Sequence, residues 1–290
     1  MKLPDLVLPS RVNQTWQYSG MDSPELCANL EHFQRYPHHI TYQYNSRGFR
    51  DSEWPHDFDS AIWCIGDSFT VGLGLPQDHT WPHQLSKKLQ QSTINISMDG
   101  ASNQWIARRV QDIMSDVAPQ SIIIQWSYLH RREATVAQVQ EQQLLNLYAD
   151  IKDTDWPHIT SLKDFDSLPS AVQNEVNMTP CRKEYLEFWF QVSDESRRLH
   201  HATTTNQQDI DCTLDCIKQV QQHSCRVIHT FVPNFGTADL DLNREFFSKL
   251  DEMKVRYLPE IQPHDSARDG HHYGIATVDY LTDQLVEIVR

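Results

Sequence analysis

Short apolar runs alternate with segments of helical period along most of this chain, and that alternation restricts the fold more than any other feature. Ala61–Ile65, Thr93–Ser97, Gln120–Trp126 and Arg226–Val232 are each too short for a buried helix and read as strands. Between and after them lie stretches with apolar residues at helical spacing. Trp81–Gln90 carries Trp81, Leu85 and Leu89 on one face; Ser102–Val117 carries Ile106, Val110, Ile113 and Val117, with Ser102 or Asn103 as its cap. Leu242–Met253 is a further helix. Gly274–Val289 is the last, with Ile275, Val278, Leu281, Leu285, Ile288 and Val289 as its stripe. Lys254–Leu258 is read as a fifth, short strand. Strands that alternate with helices predict a parallel sheet covered on both faces, an α/β fold.

Two segments carry chemistry. Gly66-Asp67-Ser68-Phe69-Thr70 follows the first apolar strand and sets a serine on the turn beyond it. Asp269-Gly270-His271-His272 supplies an acid and a base three residues apart just before the last helix. A serine hydroxyl is a weak nucleophile until a base takes its proton, and the base acts best when a third group fixes its tautomer. In open parallel sheets ligands bind beyond the carboxyl ends of the strands, and Ser68, Gly100 and the Gln125–Ser127 turn all fall there.

On these residues the chain resembles the SGNH (GDSL-type) hydrolases, over roughly residues 42 to 130 and 225 to 290. The resemblance implies a flavodoxin-like three-layer α/β/α sandwich with a parallel sheet. It implies Ser68 as nucleophile, Asp269 and His272 as its acid and base, and Gly100 beside the Ser68 backbone as an oxyanion donor. Asn45-Ser46-Arg47-Gly48-Phe49-Arg50 resembles a segment that precedes the serine in many members. The family's third block, Gly-x-Asn-Asp, has no counterpart: after Ile122-Ile123-Ile124 the chain reads Gln125-Trp126-Ser127-Tyr128-Leu129-His130. Asn103 and Gln125 are the candidate replacements for the missing asparagine. Arg131 and Arg132, beyond the third strand, are candidates for binding a substrate carboxylate or phosphate, against a plain salt bridge. Asp67 is expected to fix the turn, and His271 to flank the base without a role.

The implied reaction is cleavage of an O-acyl ester, with a small-molecule or carbohydrate ester as substrate and no cofactor or metal. Two other readings stay open. An acyltransferase would use the same triad with a hydroxyl acceptor in place of water. A non-catalytic binding member of the fold would fit the departure at the third block.

Lys and Arg number 25 against 39 Asp and Glu, a formal net charge of −14, which argues against a nucleic-acid or anionic-membrane partner. No run approaches the roughly 18 apolar residues of a membrane helix. Met1–Pro9 holds prolines and an aspartate where a signal peptide has its apolar run, so a cytoplasmic location is expected. Six scattered cysteines are then expected as free thiols, and Cys212 and Cys216 as helix-packing residues rather than metal ligands. Residues 1–58 read as an arm packed on the domain, with a short helix near Pro24–Phe33. Between about 130 and 224 the alternation breaks, and a mainly helical insertion is expected there, with helices at Val136–Ile151, Cys181–His201 and Ile210–His223.

Overall fold

The computed structural model describes residues 6–8, 11–133, 199–200, 205–223, 225–237 and 240–290. In chain order, its strands are β1 (Thr15–Trp16), β2 (Tyr42–Gln43), β3 (Ile62–Ile65), β4 (Thr93–Asn95), β5 (Ser121–Trp126), β6 (Arg132–Glu133), β7 (Leu199–His200) and β8 (Arg226–Phe231). Its helices are α1 (Pro24–Cys27), α2 (Glu31–Gln34), α3 (Ser68–Val71), α4 (Trp81–Leu89), α5 (Asn103–Asp116), α6 (Asn206–Gln221), α7 (Leu240–Glu252) and α8 (Ile275–Val289).

Four strands form one parallel sheet in the order β4-β3-β5-β8. Every residue of β3 and β5 is buried, so both faces of the sheet are covered. The helices supply that cover in two groups: α4 packs with α8, and α6 packs with α5 and α7. This is an α/β sandwich in which β3, the first strand of the sheet in chain order, is central, the arrangement of a flavodoxin-like doubly wound sheet. Trp63, Trp81, Trp105 and Trp126 are the largest of the fully buried side chains.

The expected fifth strand is reduced to one parallel bridge, between Tyr257 and His229. Lys254 is taken up in ending α7: it stands at φ 55°, while Val255 N donates to Leu250 O at 3.0 Å. Pairing resumes only afterwards, where Leu258 N donates to His229 O at 2.8 Å. At the start of α5, Ser102 is the cap, its Oγ accepting from Trp105 N at 3.0 Å. Helix α6 starts earlier than its apolar stripe indicates, because Thr205 and Gln208 form a capping box.

In the arm, β1 and β2 pair antiparallel and two separate four-residue helices replace the single one expected near Pro24–Phe33. The arm is tied to the sheet domain by hydrogen bonds such as Asn95 N to Asp51 Oδ2, 2.7 Å.

The chain divides into two compact units, one of residues 1–131 and 204–290 and the other of residues 132–203. Within the second, the antiparallel pair β6–β7 is described. The helices expected at 136–151 and 181–201 fall almost wholly outside the described residues. Among the described residues, no helix is long and apolar enough to cross a membrane. Cys27, Cys64, Cys212, Cys216 and Cys225 are free thiols.

Candidate active site

The turn after β3 is built for close approach. A Cβ on Gly66 would lie 2.2 Å from Thr70 Oγ1 and 2.9 Å from Gln125 O, so only glycine lets the chain turn there. Asp67 caps α3, its Oδ1 accepting from Phe69 N at 3.0 Å. Its Oδ2 accepts from Ser127 Oγ at 2.6 Å and from Arg131 Nη1 at 2.8 Å, which fastens the turn to the chain beyond β5. Asp67 therefore fixes the turn, as its position beside the serine suggests. The short helix closes at Gly72 (φ 76°), and the buried Arg50 guanidinium donates to Val71 O (3.2 Å), Gly72 O (2.5 Å) and Leu75 O (2.6 Å). Arg50, from the segment that precedes the serine, thus gathers three carbonyls at and just after the end of α3.

The second segment is a tight loop. Ala267 N donates to His272 O at 2.9 Å, and Gly270 takes φ 73° inside the turn. Asp269 Oδ1 accepts from the backbone N–H of His271 (2.9 Å) and of His272 (3.0 Å). Its Oδ2 lies 2.5 Å from His272 Nδ1, and His272 Nε2 lies 2.8 Å from Ser68 Oγ. The carboxylate assigns the proton of the neutral ring to Nδ1, which leaves Nε2 as an acceptor for the serine hydroxyl. Ser68, Asp269 and His272 are all buried. Burial alone would raise the Asp269 carboxyl. The hydrogen bond and charge of His272 and the two backbone N–H groups outweigh it and hold the carboxyl below its ordinary value.

Phe69 seats the imidazole, its ring centroid 4.6 Å from that of His272, and Tyr273 packs on Phe69 at 5.0 Å. His271 points elsewhere: its Nε2 is 3.5 Å from Tyr128 Oη, and burial together with the neighbouring His272 lowers its pKa.

Gly100 stands at φ 72° in a turn where Ala101 N donates to Met98 O. Met98 N donates to Gly66 O at 3.2 Å, so this loop runs beside the serine turn. Among the described residues, neither the Gly100 N–H nor the Ser68 N–H has an acceptor.

The two candidate replacements for the third-block asparagine differ in what their amide groups bond. Asn103 is buried on α5; its Nδ2 donates to Ser127 O (3.1 Å) and Thr213 Oγ1 (3.0 Å), and its Oδ1 accepts from Ser127 N (2.9 Å). Both amide hydrogens are used, and none is left for an oxyanion. Gln125 is fully buried, with Oε1 accepting from Thr70 Oγ1 (2.7 Å) and Trp81 Nε1 (3.3 Å), which braces the floor of the serine turn, while its Nε2 has no partner among the described residues. Arg131 Nη1 is paired with Asp67 at 2.8 Å and the guanidinium lies over the Tyr128 ring at 4.9 Å, the salt-bridge alternative of its sequence reading. The side chain of Arg132 lies outside the described residues.

Sequence reasoning noted Arg50 only as part of Asn45–Arg50 and missed the other groups that clamp the two segments: Tyr42, Asp22 and Arg268. The one local signal was Arg268 itself, a cation directly before Asp269.

No protein-family model matches the sequence, and no curated protein matches it. Solved structures similar to this chain include GDSL-type lipolytic proteins and esterases. A psychrotrophic esterase from Pseudoalteromonas sp. is 12% identical, with a TM-score of 0.42, over 80% of this chain and 97% of that one. A GDSL-like lipase from Bacteroides thetaiotaomicron is 9% identical, with a TM-score of 0.41, over 81% and 92%. A family two carbohydrate esterase from Clostridium thermocellum, in complex with cellohexaose, is 13% identical, with a TM-score of 0.45, over 82% and 66%. Likenesses this distant carry no argument about activity, which rests on the geometry of the site.

Proposed function

We propose that this chain is a serine ester hydrolase of the SGNH (GDSL) type that works through Ser68, His272 and Asp269. The observation that carries this reading is the unbroken chain of hydrogen bonds from Asp269 Oδ2 through the His272 ring to Ser68 Oγ, with contacts of 2.5 and 2.8 Å. A buried carboxylate, an imidazole held in one tautomer and a hydroxyl on a tight strand-to-helix turn are the parts that nucleophilic acyl transfer needs.

In this mechanism Ser68 Oγ attacks the ester carbonyl while His272 Nε2 takes its proton. The imidazolium is stabilised by Asp269 and returns the proton to the leaving alcohol. Water, activated by the same imidazole, then attacks the acyl-enzyme and releases the acid. The Ser68 and Gly100 N–H groups hold the oxyanion; both lack acceptors among the described residues. The substrate is an O-acyl ester of a small molecule or carbohydrate.

The test is hydrolysis of short-chain p-nitrophenyl esters by the wild type and by Ser68→Ala, with a serine-directed fluorophosphonate located by mass spectrometry. Turnover and labelling at Ser68 that both vanish in Ser68→Ala support the reading. A folded wild type with neither sinks it. Labelling without hydrolysis, with acyl transfer to an added sugar hydroxyl, would replace hydrolase by acyltransferase.

A further inference from the structure

Arg268, the residue before Asp269, is gripped by the N-terminal arm. Its Nε donates to Asp22 Oδ2 at 2.9 Å, its Nη2 donates to the same oxygen, and Nη2 also reaches Gln17 O at 2.8 Å. Asp22 is fully buried, and its remaining lone pairs are filled: Ser19 N (2.7 Å) and Ser19 Oγ (2.9 Å) donate to Oδ1, and Tyr42 Oη donates to Oδ2 at 2.7 Å. Tyr18 and Phe33, also of the arm, lie under the guanidinium at 5.0 and 5.8 Å. His32 Nε2 is 2.5 Å from Ala267 O, one residue further back.

The same loop is held from its other side by the segment that follows the serine helix. Arg268 N donates to Gly74 O at 3.0 Å, and Gly74 N donates to Tyr42 Oη at 2.7 Å. A Cβ on Gly74 would stand 2.6 Å from Ala267 Cβ and 3.4 Å from the Asp269 carboxyl carbon. Tyr42 Oη therefore joins the arm carboxylate to the backbone that leads back to Ser68. One closed network runs from Asp22 through Tyr42 and Gly74 to Arg268 and returns to Asp22. Asp269 is the next residue along the chain.

We infer that Asp22 is a positioning residue: through Arg268 it sets where the Asp269 carboxylate meets His272. This inference rests on the triad reading above. An ion pair with both partners buried is a poor source of net stability, because desolvation offsets the attraction. Its value here is geometric. Two adjacent donors of one guanidinium meet the same Asp22 oxygen while Arg268 N is bonded to Gly74 O, so Arg268 is held by both its side chain and its backbone. Asp269 must hold its contact to His272 within a few tenths of an ångström, and a misplacement of about 1 Å in such a group costs on the order of a hundredfold in rate.

The experiment measures kcat and KM for p-nitrophenyl acetate, and the rate of fluorophosphonate labelling, in the full-length chain. The variants are Asp22→Asn, Asp22→Glu, Tyr42→Phe, Asp269→Ala and the double variant Asp22→Asn/Asp269→Ala. Asp22→Asn is expected to lower kcat and labelling by about 10- to 100-fold with KM changed less than about twofold. Tyr42→Phe, which removes one hydroxyl from the network, lowers both in the same sense by a smaller factor. Asp22→Glu, which keeps the charge, recovers part of the loss. In the Asp269→Ala background Asp22→Asn changes kcat by less than about twofold, since its effect passes through Asp269.

A folded Asp22→Asn with wild-type kcat, or one whose loss is undiminished in the Asp269→Ala background, overturns the inference. Should Asp22→Asn fail to fold, Tyr42→Phe with and without Asp269→Ala decides the question by the same criterion. These outcomes are separable from failure of the hydrolase reading, which shows as no turnover and no labelling in the folded wild type, or as turnover and labelling that survive Ser68→Ala.

Discussion

Ser68 Oγ and His272 Nε2 lie 2.8 Å apart although 204 residues separate them in the chain. The sheet makes this possible. Ser68 leaves the carboxyl end of β3, a central strand, and the Asp269–His272 loop reaches the same rim immediately before α8. Removing any member of such a unit should cost nearly what removing all of them costs. Ser68→Ala and His272→Ala are each expected to lower kcat by at least about 10⁴-fold, with the double variant no worse than the weaker single. Asp269→Asn is expected to cost about 10³- to 10⁴-fold, because the amide no longer selects the Nδ1 proton. Steady-state kinetics of the four proteins checks this; losses that multiply would mean that the residues do not act together.

Asn103 is predicted to matter for stability more than for chemistry. Its three hydrogen bonds tie α5 to the Ser127 backbone and to Thr213 on α6. Asn103→Ala leaves buried backbone groups at Ser127 without partners, and a loss of roughly 2–4 kcal/mol in unfolding free energy is expected. Fluorophosphonate labelling by the folded variant should fall by less than about tenfold. Loss of a true oxyanion donor would cost about a hundredfold or more, at unchanged stability.

The central strands were legible because a fully buried strand reads as a short, mainly apolar run, as β3 and the Ile122–Ile124 stretch of β5 do, while β8 keeps enough of one in Val227-Ile228 and Phe231. The Ser68, Asp269 and His272 segments were legible because each keeps its geometry within a few residues: a glycine at the turn, and a carboxylate that bonds the N–H groups two and three positions on. The partners of Asn103 and Arg131 were not legible because they are set by packing between elements. Thr213 is 110 residues from Asn103, and Asp67 is 64 from Arg131. Asp22 was invisible for the same reason, with its partner 246 residues away and no periodicity linking the two. The fifth strand failed locally, since nothing in Lys254-Val255 announces that the lysine closes a helix in the left-handed region.

Two glycines near the site are predicted to behave differently on substitution. Gly74→Ala combines φ 75° with a Cβ 2.6 Å from Ala267 Cβ, so the loop that carries Asp269 must move. It should lose more than about tenfold in kcat and roughly 1–3 kcal/mol of stability. Gly100→Ala has nearly the same φ, 72°, but nothing within 4 Å of the new methyl. Only the backbone penalty of about 1–2 kcal/mol applies, with most of the activity kept. Equal kinetic losses in the two variants would show that strain, not contact with the Asp269 loop, governs both.

His229 gives the fold an acid limit. It sits fully buried on β8, where desolvation lowers its pKa to about 3. Trp126 Nε1 donates to its Nδ1 at 2.8 Å, a bond that needs that nitrogen unprotonated. A histidine whose folded value is depressed favours the neutral ring in the folded state. Its contribution is complete above the unfolded value, about 6.5, and is lost progressively as pH falls from there toward about 3. The Asp269 carboxyl, held below its ordinary value, has the same sign, but its loss begins only below about pH 4. Between about pH 6.5 and 4 the slope therefore separates the two groups. Asp51, raised to about 7 by desolvation, has the opposite sign across that interval, so the wild type's urea midpoint should fall by less than His229 alone would give, and the comparison with a His229 variant isolates the histidine. In His229→Gln, which has no proton to take up, the fall should be markedly shallower even if the variant is less stable at neutral pH. Parallel slopes in the two proteins would remove His229 as the cause.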